Sequence, residues 1–226
     1  MSRIFLPGFA LHSAMYSRLD AAQDASCIDI IPAQSWGATI ENISDSIETG
    51  SIAIGYSLGG RVALGAALLH PDKFSGLILI SAHAGLTDTQ SEQRRIRDEI
   101  RAQEVLGNRE EMLKKFDTNE LFDPLDANER SVLESSRIPD NQILADQLRI
   151  LGLGSMPHYE ERLSELRIPV LYITGVRDVR YCSLAMRYKK QTPFSHHRVV
   201  DAAHRVPFAT PRILSLYIEW FANNVL

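Results

Sequence analysis

The stretch Gly55-Tyr56-Ser57-Leu58-Gly59-Gly60 decides how this chain is read. The apolar run Ser51-Ile52-Ala53-Ile54 leads into it, and the small-residue run from Arg61 to Leu69 leads out. A strand, a Gly-x-Ser-x-Gly turn and a helix, in that order, form a nucleophile elbow. Such a turn is too sharp for side chains at Gly55 and Gly59. It forces Ser57 into a strained backbone conformation that lifts its hydroxyl above the sheet edge. The Leu58 amide then sits at a helix N-terminus, where unpaired N–H groups and the helix dipole favour an anion. The plainer alternative, a tight Gly-rich turn with an idle serine, leaves the correct flanks on both sides unexplained.

Outward from the elbow, strands alternate with helices. Ile4-Phe5-Leu6 reads as a buried strand ended by Pro7-Gly8, followed by a short helix near Met15–Gln23. Cys27–Ile31 reads as a strand stopped by Pro32, and Thr39–Glu48 as an amphipathic helix with Ile40, Ile43 and Ile47 on one face. Pro71 ends the helix after the elbow, and Gly76–Ile80 is apolar throughout, as a central parallel strand should be. From about Thr89 to Arg167 no strand is evident. Charged helical stretches fill that span at Ser91–Val105, Arg109–Phe116, Asn128–Ser136, Asn141–Leu151 and Tyr159–Leu166. Strands resume at Pro169–Thr174 and His197–Val200, and Ile213–Val225 closes the chain as a helix. The expected architecture is α/β, with a mostly parallel sheet of about six strands. Residues 1–86 and 168–226 form its core, and residues 87–167 are a helical cap inserted over the elbow.

Composition narrows the function. The 226 residues suit one domain with an insertion, and 45% hydrophobic content is enough for a sizeable core. A formal charge of −4 argues against nucleic acid or anionic membranes as partners. The two cysteines, Cys27 and Cys182, make no metal or redox motif, so no metal and no cofactor is expected and the setting reads as reducing and cytoplasmic. The segment before the first strand is too short for a signal peptide, and no apolar run is long enough to span a membrane. A monomer or small homo-oligomer is expected.

A serine nucleophile needs a base, and the base needs an orienting acid. In elbow-bearing sheets these follow in the chain order Ser, Asp or Glu, His, just past the carboxyl ends of strands. Asp178, in Gly175-Val176-Arg177-Asp178, fits the acid, and His204, in Ala202-Ala203-His204, fits the base. Asp201 is a competing acid but lies too close in sequence to His204. His70, His158, His196 and His197 lie in the wrong places, and His12 and His83 break the order. The oxyanion hole should combine the Leu58 amide with the Phe9 amide from the loop after the first strand.

These residues resemble those of the α/β-hydrolase fold, and since the strand before the oxyanion loop comes first, the fold's first hairpin is expected to be absent. Within it, Gly55–Arg61, Ser81-Ala82-His83-Ala84-Gly85-Leu86, the Arg94-Arg95…Asp98 helix and Gly175–Tyr181 resemble the 2-succinyl-6-hydroxy-2,4-cyclohexadiene-1-carboxylate synthases (MenH family) of menaquinone biosynthesis. The resemblance implies a carbon–oxygen lyase. It would release pyruvate from 2-succinyl-5-enolpyruvyl-6-hydroxy-3-cyclohexene-1-carboxylate by proton abstraction, with the Ser-His-Asp set as base. The substrate is a polycarboxylate, for which arginines are fork-shaped partners. The resemblance places Arg61, Arg95 (with Arg94 as rival) and Arg137 as those partners, and Tyr56 and Phe116 against the substrate. Departures from the family pattern are Pro7 for a histidine, Ala84 for a proline, Phe116 for a tryptophan, and Pro32–Gly37 for a Gly-His-Gly-x-Ser loop. Two other readings share the elbow. One is a small carboxylesterase like the pimeloyl-acyl-carrier-protein methyl esterase, with Ser57 as covalent nucleophile. The other is a non-catalytic ligand receptor, which a complete Ser-Asp-His set disfavours.

Overall fold

In the computed structural model, residues 2–225 are described, and the sheet that carries the elbow has six strands. They are β1 (Arg3–Leu6), β2 (Ser26–Cys27), β3 (Ser51–Tyr56), β4 (Phe74–Ile80), β5 (Val170–Gly175) and β6 (Ser195–Val200). Their spatial order is β2-β1-β3-β4-β5-β6, and every neighbouring pair is parallel. The order reverses between β1 and β3, so the loops leaving their carboxyl ends diverge and open a crevice. Phe9 and Ser57 lie on those two loops.

Alternation along the strands sorts the core into two layers. Ile4, Leu6, Ala53, Leu77, Leu79, Val170 and Tyr172 face one side. There they pack on Ile40 and Ile43 of α1 (Trp36–Asp45), Val62 and Ala66 of α2 (Leu58–Leu69), and Tyr188 of α6 (Val179–Gln191). Phe5, Ile52, Ile54, Ile78, Ile80, Leu171 and Ile173 face the other side, under Leu214, Ile218 and Phe221 of the closing helix Pro211–Asn224. A sheet covered on both faces needs strands that are apolar at successive positions, as β3, β4 and β5 are.

Between β4 and β5 lie only helices: α3 (Asp88–Asp117), α4 (Ala127–Ser135), α5 (Asn141–Arg149) and a 3₁₀ turn at Glu160–Glu165. Ala102, Val105 and Met112 of α3 and Leu144, Ala145 and Leu148 of α5 form a small core of their own, which meets the sheet domain at Ala10 and Phe9.

Several local expectations are corrected. The two helices expected over Ser91–Val105 and Arg109–Phe116 are one element bent at Asn108, whose φ of −148° and ψ of 86° are not helical. The helix near Met15–Gln23 is two 3₁₀ turns, Ser13–Tyr16 and Asp20–Ala22. The Cys27–Ile31 strand shrinks to Ser26–Cys27, because β1 turns away at Pro7-Gly8 and leaves the run without a partner. Helix α1 starts at Trp36, three residues early, since the Ser35 hydroxyl accepts the Ala38 N–H at 3.1 Å. Helix α6 was not anticipated at all.

Candidate active site

The elbow is built as its glycines require. Ser57 has φ 51° and ψ −104° between β3 and α2, a conformation that costs a non-glycine residue strain. A Cβ on Gly55 would lie 2.4 Å from the Gly59 carbonyl carbon, and one on Gly59 would lie 2.0 Å from the Leu6 oxygen. Both contacts are with backbone, so no rotamer change relieves them.

The three groups expected to meet do meet. His204 Nε2 lies 3.0 Å from Ser57 Oγ, and His204 Nδ1 lies 2.7 Å from Asp178 Oδ2. Asp178 and His204 are both buried. Asp178 also caps α6, its Oδ1 accepting the Tyr181 N–H at 3.2 Å. The rival acid, Asp201, is 87% exposed and pairs with Arg177 instead. A hydroxyl held against a buried imidazole, itself held by a buried carboxylate, can give its proton to the ring and act as base or nucleophile. The amides of Phe9 and Leu58 have no hydrogen-bond partner among the described residues.

The helical insertion holds both loops that carry these groups. From its 117–123 segment, Leu121 O accepts the His204 N–H at 3.3 Å and Asp123 Oδ2 accepts the Ala203 N–H at 2.8 Å. Asp123 also takes Arg177 at 2.7 Å, and that guanidinium holds its carboxyl below the usual range. The Phe122 ring lies 5.7 Å from His204 and beneath the Arg205 guanidinium at 4.0 Å. On the other loop, Ala10 N–H donates to Gln147 Oε1 at 3.0 Å, while Gln147 Nε2 donates to Ile30 O at 2.9 Å. Ile138 N–H donates to Ala10 O and His12 N–H to Ser136 O.

Over Ser57 lies a cavity of about 460 Å³, a usual size for a small-molecule site. Its wall is strongly cationic. Arg61, Arg94, Arg97, Arg101, Lys115, Arg137, Arg180 and Arg205 line it, against only Glu104 and Asp117 as lining carboxylates. Arg137 and Arg205 share Asp117, each at 2.5 Å. Arg94 pairs with Asp98 at 2.8 Å. Arg61 donates to Leu151 O at 2.6 Å and lies 6.0 Å from the Trp36 ring centre. Burial, then the charge of Arg94, pushes its pKa down to about 10, so it stays charged at neutral pH.

The structure as a whole superposes on MenH from S. aureus with a TM-score of 0.93 at 22% identity, over 100% of this chain and 94% of that one. It superposes on an esterase from Thermogutta terrifontis with a TM-score of 0.74 at 17% identity, over 100% and 90% of the two chains. The chain has the α/β-hydrolase fold. No family model matches the chain. Among curated proteins it is 31% identical over 163 residues to the 2-succinyl-6-hydroxy-2,4-cyclohexadiene-1-carboxylate synthase of Salmonella heidelberg (strain SL476), over 70% of this chain and 62% of that one. It is 32% identical over 179 residues to a Bacillus subtilis (strain 168) protein provisionally given the same name, over 76% of this chain and 65% of that one. The chain thus spans just under two thirds of the length of these curated relatives.

Of the ligand-contact residues expected from the sequence, Tyr56, Arg61, Phe116 and Arg137 line the cavity. Phe116 stacks edge-on against Phe9 at 5.2 Å. Arg95 does not line it: the side chain is exposed, and its rival Arg94 takes the inward place. The reason is helical phase, since Arg94 reaches buried Asp98 one turn on. Arg97, Arg101, Lys115, Arg180, Arg205, Gln147 and Tyr181 escaped the reading of the sequence. The 94–97–101 spacing was a signal for two of them.

Proposed function

We propose that this chain, with its α/β-hydrolase fold, is a carbon–oxygen lyase of menaquinone biosynthesis that releases pyruvate from 2-succinyl-5-enolpyruvyl-6-hydroxy-3-cyclohexene-1-carboxylate. The observation that carries this reading is the cationic wall around Ser57, in a chain whose overall charge is −4. A neutral ester gives no reason to gather arginines in a cavity, whereas a tricarboxylate does. The names of the curated relatives support the same reaction.

In the proposed mechanism Arg61, Arg94 and Arg137 hold substrate carboxylates, and Tyr56 and Phe116 pack beside the ring. Ser57 Oγ takes the proton from substrate carbon while its own proton passes to His204 Nε2. Asp178 stabilises the imidazolium that forms. The electron pair of the broken C–H bond moves through the ring and expels the enolpyruvyl oxygen. That oxygen takes a proton, and the enol becomes pyruvate. The Phe9 and Leu58 amides face negative charge that builds on substrate oxygen. The helices between β4 and β5 act as a cap that keeps water out. No acyl-enzyme forms, because no carbonyl carbon is attacked.

Ester hydrolysis through Ser57 is the second reading, favoured by the intact Ser57–His204–Asp178 contacts and the two free amides, which suit attack on a carbonyl equally well. Rapid-mixing kinetics with the menaquinone intermediate beside an aryl ester separates them. Pyruvate release at rates far above ester turnover supports the lyase. An acyl burst with no pyruvate supports the esterase and refutes the lyase.

A further inference from the structure

Arg94, Arg97 and Arg101 share one face of α3 and line the cavity. At a rise of about 1.5 Å per residue they run about 10 Å along its wall, away from the elbow end. Their surroundings differ. Arg94 is neutralised by Asp98. Lys115, beyond them, is taken by Glu104 and Glu111. Arg97 and Arg101 have no ion pair and no hydrogen bond among the described residues. Arg101 is half-buried, and burial together with the positive Arg94 presses its pKa down. A half-desolvated guanidinium with no paired counter-ion is costly unless something else supplies the charge. Asp98 and Glu104 are the acidic residues whose charge reaches Arg101, and both are already engaged, by Arg94 and Lys115.

We infer that Arg97 and Arg101 form an outer carboxylate subsite, which holds an acidic arm of a ligand whose other end lies at Ser57. The inference rests on the polycarboxylate reading given above and extends it: the ligand must carry two carboxylates separated by most of the length of the cavity. Two guanidinium planes one helical turn apart can each offer paired N–H donors to such an arm. The subsite therefore selects for ligand length, which Arg61 and Arg137, nearer the elbow, do not.

The test compares suberate, an eight-carbon diacid of about the length of the arginine stripe, with octanoate, which lacks the second carboxylate. Isothermal calorimetry on the full chain should find suberate bound about tenfold more tightly, a modest yield for one charge-assisted contact. Arg97→Gln with Arg101→Gln should bring the ratio to about one while octanoate affinity holds within about twofold. Arg95→Gln, on the exposed face, should change neither. If the double variant melts early, Arg97→Gln alone, at an exposed side chain, must still lower the ratio about threefold. A wild-type ratio near one, including no binding of either acid, overturns the subsite. So does an equal loss of both acids in a folded double variant. Pyruvate release is measured separately: its absence sinks the lyase alone, and its presence with a ratio near one sinks the subsite alone.

Discussion

Replacing Asp178 by asparagine is expected to abolish turnover while leaving the fold almost untouched. The carboxylate has two tasks. Its Oδ1 accepts the Tyr181 N–H and caps α6, and its Oδ2 holds His204 Nδ1 at 2.7 Å. Asparagine keeps an oxygen for the cap, so the loss of about 0.5–2 kcal/mol that a missing cap brings is avoided. Its NH2 group, however, now faces His204 Nδ1, which must become an acceptor. The ring proton moves to Nε2, which then donates to Ser57 Oγ and can no longer take its proton. The same swap of tautomer in serine proteases lowers kcat about 10⁴-fold. That is about 5 kcal/mol of transition-state stabilisation. Stability should change by no more than about 1 kcal/mol. Asp178→Ala, by contrast, loses the cap and leaves a buried His204 N–H unpaired, for a total of about 2–4 kcal/mol. Urea melts and single-turnover kinetics on the menaquinone intermediate and on an aryl ester measure both quantities. Asparagine retaining more than about a tenth of wild-type turnover would refute the tautomer argument. An equal loss in Asp201→Asn would refute the choice of acid.

Three other changes probe different parts of the molecule. Arg94→Ala should lower kcat/KM by about 2–4 kcal/mol equivalent and also lower the melting temperature, since buried Asp98 loses its counter-charge; Arg95→Ala should do neither. Burial, reinforced by Arg180 and Arg61, drives the His83 pKa down from 6.5 to about 3. Between those values the unfolded chain binds a proton that the folded chain does not, so stability should fall as pH is lowered from about 6.5. His83→Asn, which can still accept the Gly85 N–H, should remove up to about 1.4 kcal/mol per pH unit from that slope in urea melts between about pH 4 and 6. Gly59→Ala should destabilise by about 1–3 kcal/mol or more, because the new methyl meets the Leu6 carbonyl and displaces the loop that carries Phe9.

How far the sequence could be read depended on whether a residue's role was local. The elbow is local: Gly55, Ser57 and Gly59 meet one another or the adjacent strand, so their spacing carried the geometry. Asp178 and His204 followed from chain order and strand ends, which parallel topology fixes. The cationic wall was harder, because whether an arginine faces inward depends on helix phase to within one residue. The Arg94–Asp98 pair sets that phase, and the choice between Arg94 and Arg95 turned on it. Arg180 could not be placed without α6, and α6 was missed because its polar sequence, Val179–Gln191, buries little beyond Ala185 and Tyr188. Gln147 was invisible for a different reason. Its two bonds reach Ala10 and Ile30, and nothing in a glutamine's neighbours on the chain reports partners that far away.

The contacts of residues 117–123 bear on how this protein could be re-engineered or could diverge. By their place in the chain, the helices between β4 and β5 have the form of a module to be exchanged for another. The junction does not divide that way. Leu121 and Asp123 supply acceptors for the backbone of the His204 loop, and Asp117 neutralises Arg205 next to it. A chimaera joined at the strand ends would inherit His204 without the groups that seat it. A transplant of foreign helices has to leave 117–123 behind with the host, so heritable variation in specificity is channelled into α3 and α5, on either side of a segment that belongs to the sheet domain in all but sequence position.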